Sequence, residues 1–192
     1  MKKIGKYILL ERNEFGKWLN DFKATRKIMH VQQHHTWLPQ YSNFHDNHFK
    51  LCESMEAFHR QRGFTEIAQN FTTFPDGRIM VCRSLNTMPA GIRKANGGGI
   101  CIENVGNFDK GHDVMTDEQA ETIVEMTKLL LGRFKLSPSQ KTVVYHHWFD
   151  LNTGKLKPGD ESASDKTCPG TNFFKGNTKL AFEQHFLPLL KS

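Results

Sequence analysis

The chain has 192 residues, of which 38% are hydrophobic and 24% are charged, and it carries a net charge of +6 with an isoelectric point near 9.2. This length and composition predict a single globular domain that buries its own core without disulfide staples. The charge predicts an acidic partner such as nucleic acid, anionic lipid or anionic cell wall, but Lys and Arg never form a run of five, which argues against a dedicated polybasic arm.

The first part of the chain alternates strand-like and helix-like patterns. Residues 1–27 are predicted to be an N-terminal extension with a short helix around residues 14–23, and residues 28–192 to form the main domain. A strand is predicted over residues 29–33. A helix follows over about residues 47–62, where apolar side chains form a rough stripe.

The rest of the chain continues this alternation. Its predicted elements are a hairpin of strands over 67–74 and 78–82, a strand over 100–105, a helix over 116–134, a strand over 142–145, a loop over 152–166 and a C-terminal helix around 177–186. Thr116 and Gln119 predict a capping box at the start of the long helix. Because strands alternate with helices, we predict the α/β class, with one domain and a central mixed β-sheet flanked by helices on both faces.

Cysteine usage and the pattern of apolar residues argue against a disulfide-rich protein, a signal peptide and a membrane span. The four cysteines show no CxxC motif or paired spacing, so a disulfide framework is not expected. The apolar run at residues 7–10 is too short for the core of a signal peptide, and no stretch reaches the length of a transmembrane helix. We therefore expect synthesis in the cytoplasm without a signal peptide, and no insertion into a membrane.

Three segments far apart in the sequence carry the ligand types of one metal site. They are Gln-His-His-Thr-Trp at 33–37, Val-Tyr-His-His-Trp at 144–148 and Asp-Lys-Thr-Cys-Pro-Gly at 165–170. Two imidazoles and one thiolate suit Zn²⁺ and leave its fourth position open, which is typical of a catalytic zinc. If the segments converge, the chain holds one zinc ion and is a hydrolase.

Each histidine pair is predicted at the end of a strand, where adjacent side chains point to opposite faces. One member of each pair, His34 and His146, is therefore expected to face the metal, while His35 and His147 face the core or contact a ligand. A single histidine in such a place is more often structural. Finding two similar pairs together with Cys168 favours the metal site.

Two other residues suit catalytic roles. Glu103 interrupts an apolar strand, where a carboxylate is costly unless it is paired or used, and there it would act as a general base. The alternative is that strand alternation turns Glu103 to solvent. Lys166 lies two residues before Cys168 and would depress the pKa of the thiol and stabilise an oxyanion; otherwise it is one more surface lysine.

The remaining polar groups are weaker candidates for a metal site. His45, Asp46 and His48 resemble a metal cluster, but they fall in a loop and a helix start with no matching partner. Asp150 and Asp165 are alternative oxygen ligands.

The order of these motifs resembles that of the zinc-dependent N-acetylmuramoyl-L-alanine amidase superfamily, which includes phage lysozyme-like amidases and peptidoglycan recognition proteins. The resemblance covers roughly residues 30–174. It rests on strand-His-His-Thr, a hairpin with Pro-Asp-Gly, Ile-x-Ile-Glu-x-x-Gly, a second His-His pair and Lys-x-Cys-Pro-Gly, in that order. Each motif alone is weak, but the order and spacing are specific.

The resemblance implies a role for each site residue. The first histidine of each pair and Cys168 would be the zinc ligands, Lys166 the oxyanion-stabilising lysine and Glu103 the catalytic base. One position departs from the pattern, because Gln69 stands where the phage-lysozyme branch has a tyrosine. This departure argues against a tyrosine-assisted mechanism and favours Glu103 as the catalytic base.

The resemblance also implies an activity, the hydrolysis of the amide between N-acetylmuramic acid and L-alanine in peptidoglycan or muropeptides, as in a bacteriolytic endolysin. The alternative is a recognition protein that binds peptidoglycan without cutting it, whereas a nucleic-acid-binding protein would leave the metal-ligand pattern unexplained. We expect a monomer, with residues 28–192 as its zinc amidase domain, that acts on the bacterial cell wall after export or release by lysis. The lack of an export signal also fits a cytoplasmic recycling enzyme. The third stem-peptide residue, the cross-link preference and the source of the chain stay open.

Overall fold

The computed structural model describes residues 1–158 and 166–192 and contains one seven-stranded sheet. The strands are β1 (Lys2–Ile4), β2 (Tyr7–Leu10), β3 (His30–His35), β4 (Phe71–Thr73), β5 (Ile79–Val81), β6 (Gly99–Asn104) and β7 (Val143–Tyr145). The helices are α1 (Arg12–Asp21), α2 (His48–Gln61), α3 (Asp117–Arg133), α4 (Lys179–Ala181) and α5 (Leu187–Lys191), the last two joined by a π-helical turn over Phe182–Phe186. Short 3₁₀ turns span Tyr41–Asn43, His146–Trp148 and Phe173–Lys175.

The sheet is mixed, with the strand order β1-β2-β5-β4-β6-β3-β7. Strands β4, β6, β3 and β7 pair in parallel, whereas β1, β2 and β5 pair antiparallel with their neighbours. The carboxyl ends of parallel strands meet at one edge of the sheet, which is where α/β proteins place their sites. At that edge β3 ends at His35, β6 at Asn104 and β7 at Tyr145.

Helices cover both faces of the sheet, so the predicted α/β class with a central mixed sheet is confirmed. On one face, Phe15 of α1 and Met126 of α3 pack against Ile102 of β6 in a buried cluster. On the other face, Met55 of α2 packs with Met80 of β5. The alternation of strand side chains explains this division, because neighbours along β6 and β5 point to opposite faces.

The long helix α3 begins as predicted, but only half of the predicted capping box forms. The Thr116 hydroxyl accepts a hydrogen bond from the backbone N–H of Gln119 at 3.2 Å. The side chain of Gln119 does not reach back to Thr116 and instead donates to Thr73 and to the carbonyl of Val105. Gln119 is fully buried, so these bonds tie α3 to β4 and to the end of β6.

The N-terminal residues contribute more structure than the predicted extension with its one helix. Strands β1 and β2 extend the sheet, because β2 pairs with β5 through Leu10 and Ile79. The predicted division of the chain at residue 27 remains a prediction. Part of the predicted loop over 152–166, residues 159–165, lies outside the described residues, and the described remainder contains no helix or named strand. Within the described ranges, no helix combines the length and the apolar character needed to cross a membrane.

Candidate metal centre

His34, His146 and Cys168 come together at the carboxyl edge of the parallel strands. One potential ligand atom from each residue lies within 4.8 Å of those of the other two. The Nδ1 atom of His34 is 3.4 Å from the Sγ atom of Cys168, and the rings of His34 and His146 are 4.9 Å apart between centroids. The three segments of the predicted site therefore do converge.

The separation of the His34 and Cys168 ligand atoms fits a tetrahedral zinc ion. With Zn–N near 2.0–2.1 Å and Zn–S near 2.3 Å, a tetrahedral angle places a nitrogen and a sulfur ligand about 3.5 Å apart. The 3.4 Å between His34 Nδ1 and Cys168 Sγ matches this value. His34 and Cys168 are buried while His146 is half-buried, so the cluster opens to solvent on the side of His146.

Parallel pairing of the strands explains why the two histidines meet. Gln33 of β3 pairs with Tyr145 of β7, so the next residue of each strand, His34 and His146, reaches the same edge. His146 itself begins a 3₁₀ turn and does not continue the strand. The predicted reason for its orientation, strand alternation, is therefore wrong for this pair, although the turn still separates His146 from His147.

The second histidine of each pair supports the site from outside. The Nδ1 atom of His35 accepts the backbone N–H of Phe108 at 3.1 Å. The Nδ1 atom of His147 lies 2.8 Å from the carbonyl oxygen of Lys166, and the N–H of His147 donates to the carbonyl of Cys168 at 2.7 Å. Both side chains thus contact the segments next to the ligands.

The turn that carries Cys168 is held by a second loop that the sequence analysis did not single out. Asp109 accepts the hydroxyl of Thr167 and the backbone N–H of Thr171, each at 2.9 Å, and so binds the turn on both sides of the cysteine. Gly170 also lies against this loop, where a Cβ atom would be 2.5 Å from the carbonyl of Phe108. A polar residue just after a strand end was the only signal for Asp109 in the sequence.

Burial sets the protonation of the ligands. It holds the pKa of His34 well below the ordinary value, with His146 and His35 adding to the effect, and it lowers the pKa of His146 to about 4 with a contribution from the charge of Lys166. Both imidazoles are therefore neutral at pH 7 and have a lone pair for a metal. Burial also raises the pKa of the Cys168 thiol, and the nearby Glu103 adds to this, so the thiol ionises only with a cation beside it.

Glu103 lies beside this cluster and does not turn away to bulk solvent. It pairs with His34 across β6 and β3 and therefore shares the face of the sheet from which His34 projects. Ligand atoms of His34, Cys101 and Glu103 also lie within 4.8 Å of one another. The Glu103 side chain keeps partial exposure, yet its carboxylate is enclosed enough that burial raises its pKa to about 8.

Lys166 lies next to the ligands and is exposed at the surface. Its positive charge lowers the pKa values of both His146 and Cys168, although burial is the larger influence on each. An ammonium group in this place would attract negative charge that develops on a substrate.

Gln69 is fully buried close to Glu103. Its amide nitrogen donates to the hydroxyl of Thr72 at 3.0 Å, and Thr72 pairs with Glu103 across β4 and β6. The Gln69 side chain thus touches the strand next to the candidate base, without a phenol hydroxyl to offer the site.

The weaker candidates do not join this cluster. His48 gains a partner that the sequence did not suggest, because Asp76 of the Pro-Asp-Gly turn lies 2.8 Å from its Nε2 atom, with Asp46 on the other side. Arg78 lies 3.2 Å from Asp46 and 3.5 Å from Asp76, so these carboxylates already have a cation and form an ion-pair network. Asp150 accepts the N–H groups of its own turn. The other alternative ligand, Asp165, lies outside the described residues.

Solved structures with the same fold are bacterial amidases and animal recognition proteins. The endolysin N-acetylmuramoyl-L-alanine amidase LysCS from Clostridium intestinale is 19% identical with a TM-score of 0.57, covering 77% of this chain and 78% of its own. Drosophila PGRP-SA is 17% identical with a TM-score of 0.62, covering 85% and 82%. A point mutant of Drosophila PGRP-LB in complex with tracheal cytotoxin is 18% identical with a TM-score of 0.60, covering 84% and 83%. At these identities the likeness shows the fold.

The family of the chain follows from a match of its sequence to a family model. No curated protein sequence matches this chain. The family model described as N-acetylmuramoyl-L-alanine amidase, however, matches residues 24–171, which span every strand from β3 to β7 and all three candidate ligands. The chain therefore belongs to the N-acetylmuramoyl-L-alanine amidase family.

Proposed function

We propose that this chain is a zinc-dependent peptidoglycan hydrolase that cleaves the amide between N-acetylmuramic acid and the L-alanine of the stem peptide. The observation that carries the proposal is the convergence of His34, His146 and Cys168 beside the carboxylate of Glu103. Family membership supports the same reaction. We propose the bacterial cell wall as the place of action and a single zinc ion per chain.

His34, His146 and Cys168 would hold the metal, since two neutral imidazoles and a thiol that ionises beside a cation are the donor set that zinc prefers. When bound, Zn²⁺ supplies a Lewis acid that polarises the scissile carbonyl and lowers the pKa of water towards neutrality. Burial alone raises the pKa of Glu103 to about 8. The positive charge of a bound ion would favour the ionised form of this carboxyl group.

Glu103 acts first as a general base and then as a general acid. It takes a proton from the attacking water as the water oxygen bonds to the carbonyl carbon. It then delivers that proton to the amide nitrogen as the carbon–nitrogen bond breaks. The products are the lactyl carboxylic acid of N-acetylmuramic acid and the free α-amine of L-alanine, so one water is consumed for each bond cleaved.

Lys166 stabilises the negative charge that develops on the carbonyl oxygen during attack. The residue is exposed beside the cluster, and its charge already acts on His146 and Cys168. An ammonium next to a developing oxyanion contributes to the transition state more than to ground-state binding. Lys166 therefore contributes to turnover more than to metal affinity.

A second candidate function is recognition of peptidoglycan without cleavage. The observation in its favour is the replacement of tyrosine by Gln69, together with recognition proteins among the similar folds. Against it stands a complete set of ligands with a carboxylate and an ammonium beside them, which binding alone does not require. The two functions differ in their product, because only hydrolysis releases a new amino group.

The test combines elemental analysis of zinc with assay of purified peptidoglycan before and after chelation. We expect about one zinc per chain and a chelator-sensitive release of stem peptides that begin with a free L-alanine amine. Zinc binding without release would favour the recognition protein. A chain that binds no zinc and cuts equally well in chelator would overturn the proposal.

A further inference from the structure

Four buried side-chain nitrogen or oxygen atoms have no hydrogen-bond partner among the described residues, and two of them belong to side chains of β3 at the candidate metal centre. These two are the Nε2 atom of His34 and the Oε1 atom of Gln32. Gln32 lies two residues before His34 on β3, so both side chains project from the same face of the sheet. Buried polar groups are rarely left without a partner, so this pair calls for a physical account.

The amide of Gln32 has a fixed direction. Its Nε2 atom donates to the carbonyl of Ala95 at 3.0 Å and lies 3.2 Å from the Nε2 atom of His30. Because this end of the amide has a carbonyl acceptor, the opposite end is the oxygen, and it faces away from Ala95. The orientation of Oε1 therefore follows from the contacts of the nitrogen.

Two glycines leave room for this amide. A Cβ atom at Gly99 would lie 2.6 Å from Nε2 of Gln32, and a Cβ atom at Gly91 would lie 2.6 Å from its Oε1. The same position at Gly91 would be 2.9 Å from Nε2 of His34 and 2.7 Å from Sγ of Cys101. Any side chain at Gly91 would therefore press on the metal ligand and on its neighbour together.

Binding of a metal decides which atom of His34 carries the proton. The Nδ1 atom faces Cys168, on the metal side of the ring. A neutral imidazole that gives its Nδ1 lone pair to a metal must carry its proton on Nε2, and this N–H then needs an acceptor. Metal-bound histidines almost always donate this second N–H to a fixed partner, which orients the ring and strengthens its binding.

In this structure the two atoms form no hydrogen bond with each other, but both face the space beside Gly91. We propose that Gln32 becomes the positioning residue for His34 when the metal binds, its Oε1 atom accepting the proton then carried by Nε2, and that Gly91 keeps the space for this contact. The inference rests on the proposed zinc site but not on its catalysis. It adds to the site two residues that touch neither the metal nor the substrate.

The first test measures zinc affinity by competition with a chromophoric chelator. Gln32→Met keeps the volume and removes the acceptor, and we expect affinity to fall about 10- to 100-fold. Gln32→Glu keeps an acceptor oxygen and should stay within a few-fold of wild type. Gln33→Met is the matched control, because Gln33 is equally buried on the same strand but bonds to Thr127 on the opposite face. We expect Gln33→Met to change stability without the loss of zinc affinity.

Gly91→Ala tests the space independently. We expect it to weaken zinc binding by a similar factor, whereas Gly97→Ala, in the same loop with nothing within 4 Å of the added Cβ, should bind as wild type. A second readout is the His34 Hε2 proton in nitrogen-edited NMR spectra of the zinc-loaded protein. It should exchange slowly with solvent in wild type and become undetectable or shifted in Gln32→Met.

The outcomes separate this inference from the proposed function. If wild type binds zinc and cleaves peptidoglycan but Gln32→Met binds zinc as tightly, Gln32 is not the positioning residue. A loss of affinity in Cys101→Ala but not in Gln32→Met would assign the role to the thiol and overturn the inference as well. If wild type itself binds no zinc, both proposals fail together.

Discussion

The charge of Glu103 depends on the groups beside it, and this dependence suits its proposed role as a general base and then a general acid. Burial alone raises the pKa of its carboxyl group to about 8, so the acid is largely protonated at pH 7 when no cation is near. A divalent cation held at His34 and Cys168 would favour the ionised carboxylate. In the proposed mechanism, Glu103 would then act as a base with the metal in place, and its raised pKa would help it to return the proton to the leaving amine.

Replacing Glu103 with Gln tests this role directly. The amide keeps the shape of the acid and adds no charge, so we expect zinc content and thermal stability close to wild type. Turnover on muropeptides should fall by about 10²- to 10⁴-fold, because no group remains to move the proton. Glu118→Gln, on the exposed start of α3, serves as the control and should keep its rate. A Glu103→Gln enzyme with near-normal turnover would show that another group is the base.

The site residues differ in how far the sequence could predict them. His34, His146 and Cys168 could be predicted because their chemistry is rare and their order is typical of one family. Asp109 could not, since an aspartate after a strand has many uses and only the folded chain brings it to Thr167 and Thr171. The same holds for Gln32, whose role depends on the absence of a side chain at a glycine 59 positions away.

At the scale of elements, the segment that carries Cys168 depends on the loop after β6. Asp109 binds Thr167 and Thr171, and the carbonyl of Phe108 accepts the N–H of Asn172 at 2.8 Å. These bonds fix the turn from both ends, so the direction of the Cys168 side chain is set by a different part of the chain.

Asp109→Ala should therefore weaken zinc binding although Asp109 is not a ligand. We expect about a tenfold or greater loss of zinc affinity and a loss of stability of about 1–3 kcal/mol from the unpaired donors. Asp113→Ala is the matched control, because its carboxylate likewise accepts two backbone N–H groups, those of Tyr41 and Asn107, but does not touch the cysteine turn. If both variants lost zinc affinity equally, the loss would not come specifically from the bonds between Asp109 and the cysteine turn.

One carboxylate reinforces the attachment of the N-terminal strands, which also pair with the sheet through β2 and β5. Glu56 of α2 forms hydrogen bonds or ion pairs with Tyr7 of β2, with Lys6 at 2.7 Å and with Arg60 at 2.7 Å. Nothing in the sequence predicted strands here, because Lys2–Ile4 is exposed and too short to show a period. Their pairing is a property of the fold that the local sequence does not encode.

The ionised carboxylate of Glu56 stabilises the fold, so the free energy of unfolding should fall when this group is protonated at low pH. Burial raises its pKa, but the bonds to Lys6, Tyr7 and Arg60 outweigh burial and bring the pKa to about 2, from an ordinary value of 4.5. The stabilisation is thus complete above about pH 4.5 and is lost as the pH falls towards 2, with an upper bound of about 3 kcal/mol.

Urea unfolding at several pH values would measure this contribution. We expect Glu56→Gln to be less stable than wild type at pH 6, with the difference shrinking between pH 4.5 and 2. Glu53→Gln, an exposed position on the same helix, should show no such change. A difference that stays constant with pH would mean that Glu56 acts through packing and not through its charge.

The candidate metal centre joins parts of the chain that are distant in sequence. His34 lies in β3, His146 follows β7 and Cys168 lies on a turn beyond residues 159–165. A cation held by all three would cross-link the carboxyl edge of the sheet to the C-terminal part of the chain. Among the side chains themselves, the link is the 3.4 Å contact between Cys168 Sγ and His34 Nδ1 and the ring contact between His34 and His146.

Zinc should therefore stabilise the entire fold and not only the site. A ligand that binds only the folded state adds RT ln(1 + [L]/Kd), which is about 4 kcal/mol at a free zinc concentration one thousand times Kd. We expect calorimetry to show a clear rise in Tm when zinc is added to chelated wild-type protein, and the rise to increase with zinc concentration. Cys168→Ser should lose most of that rise together with its activity. Cys52→Ser is the control, because Cys52 is a buried thiol of α2 that does not belong to the ligand cluster. It should keep the rise even if its own Tm is lower. If zinc left the Tm of wild type unchanged, the cluster of His34, His146 and Cys168 would not be a zinc site. If Cys168→Ser showed the full rise in Tm, the ion would bind elsewhere.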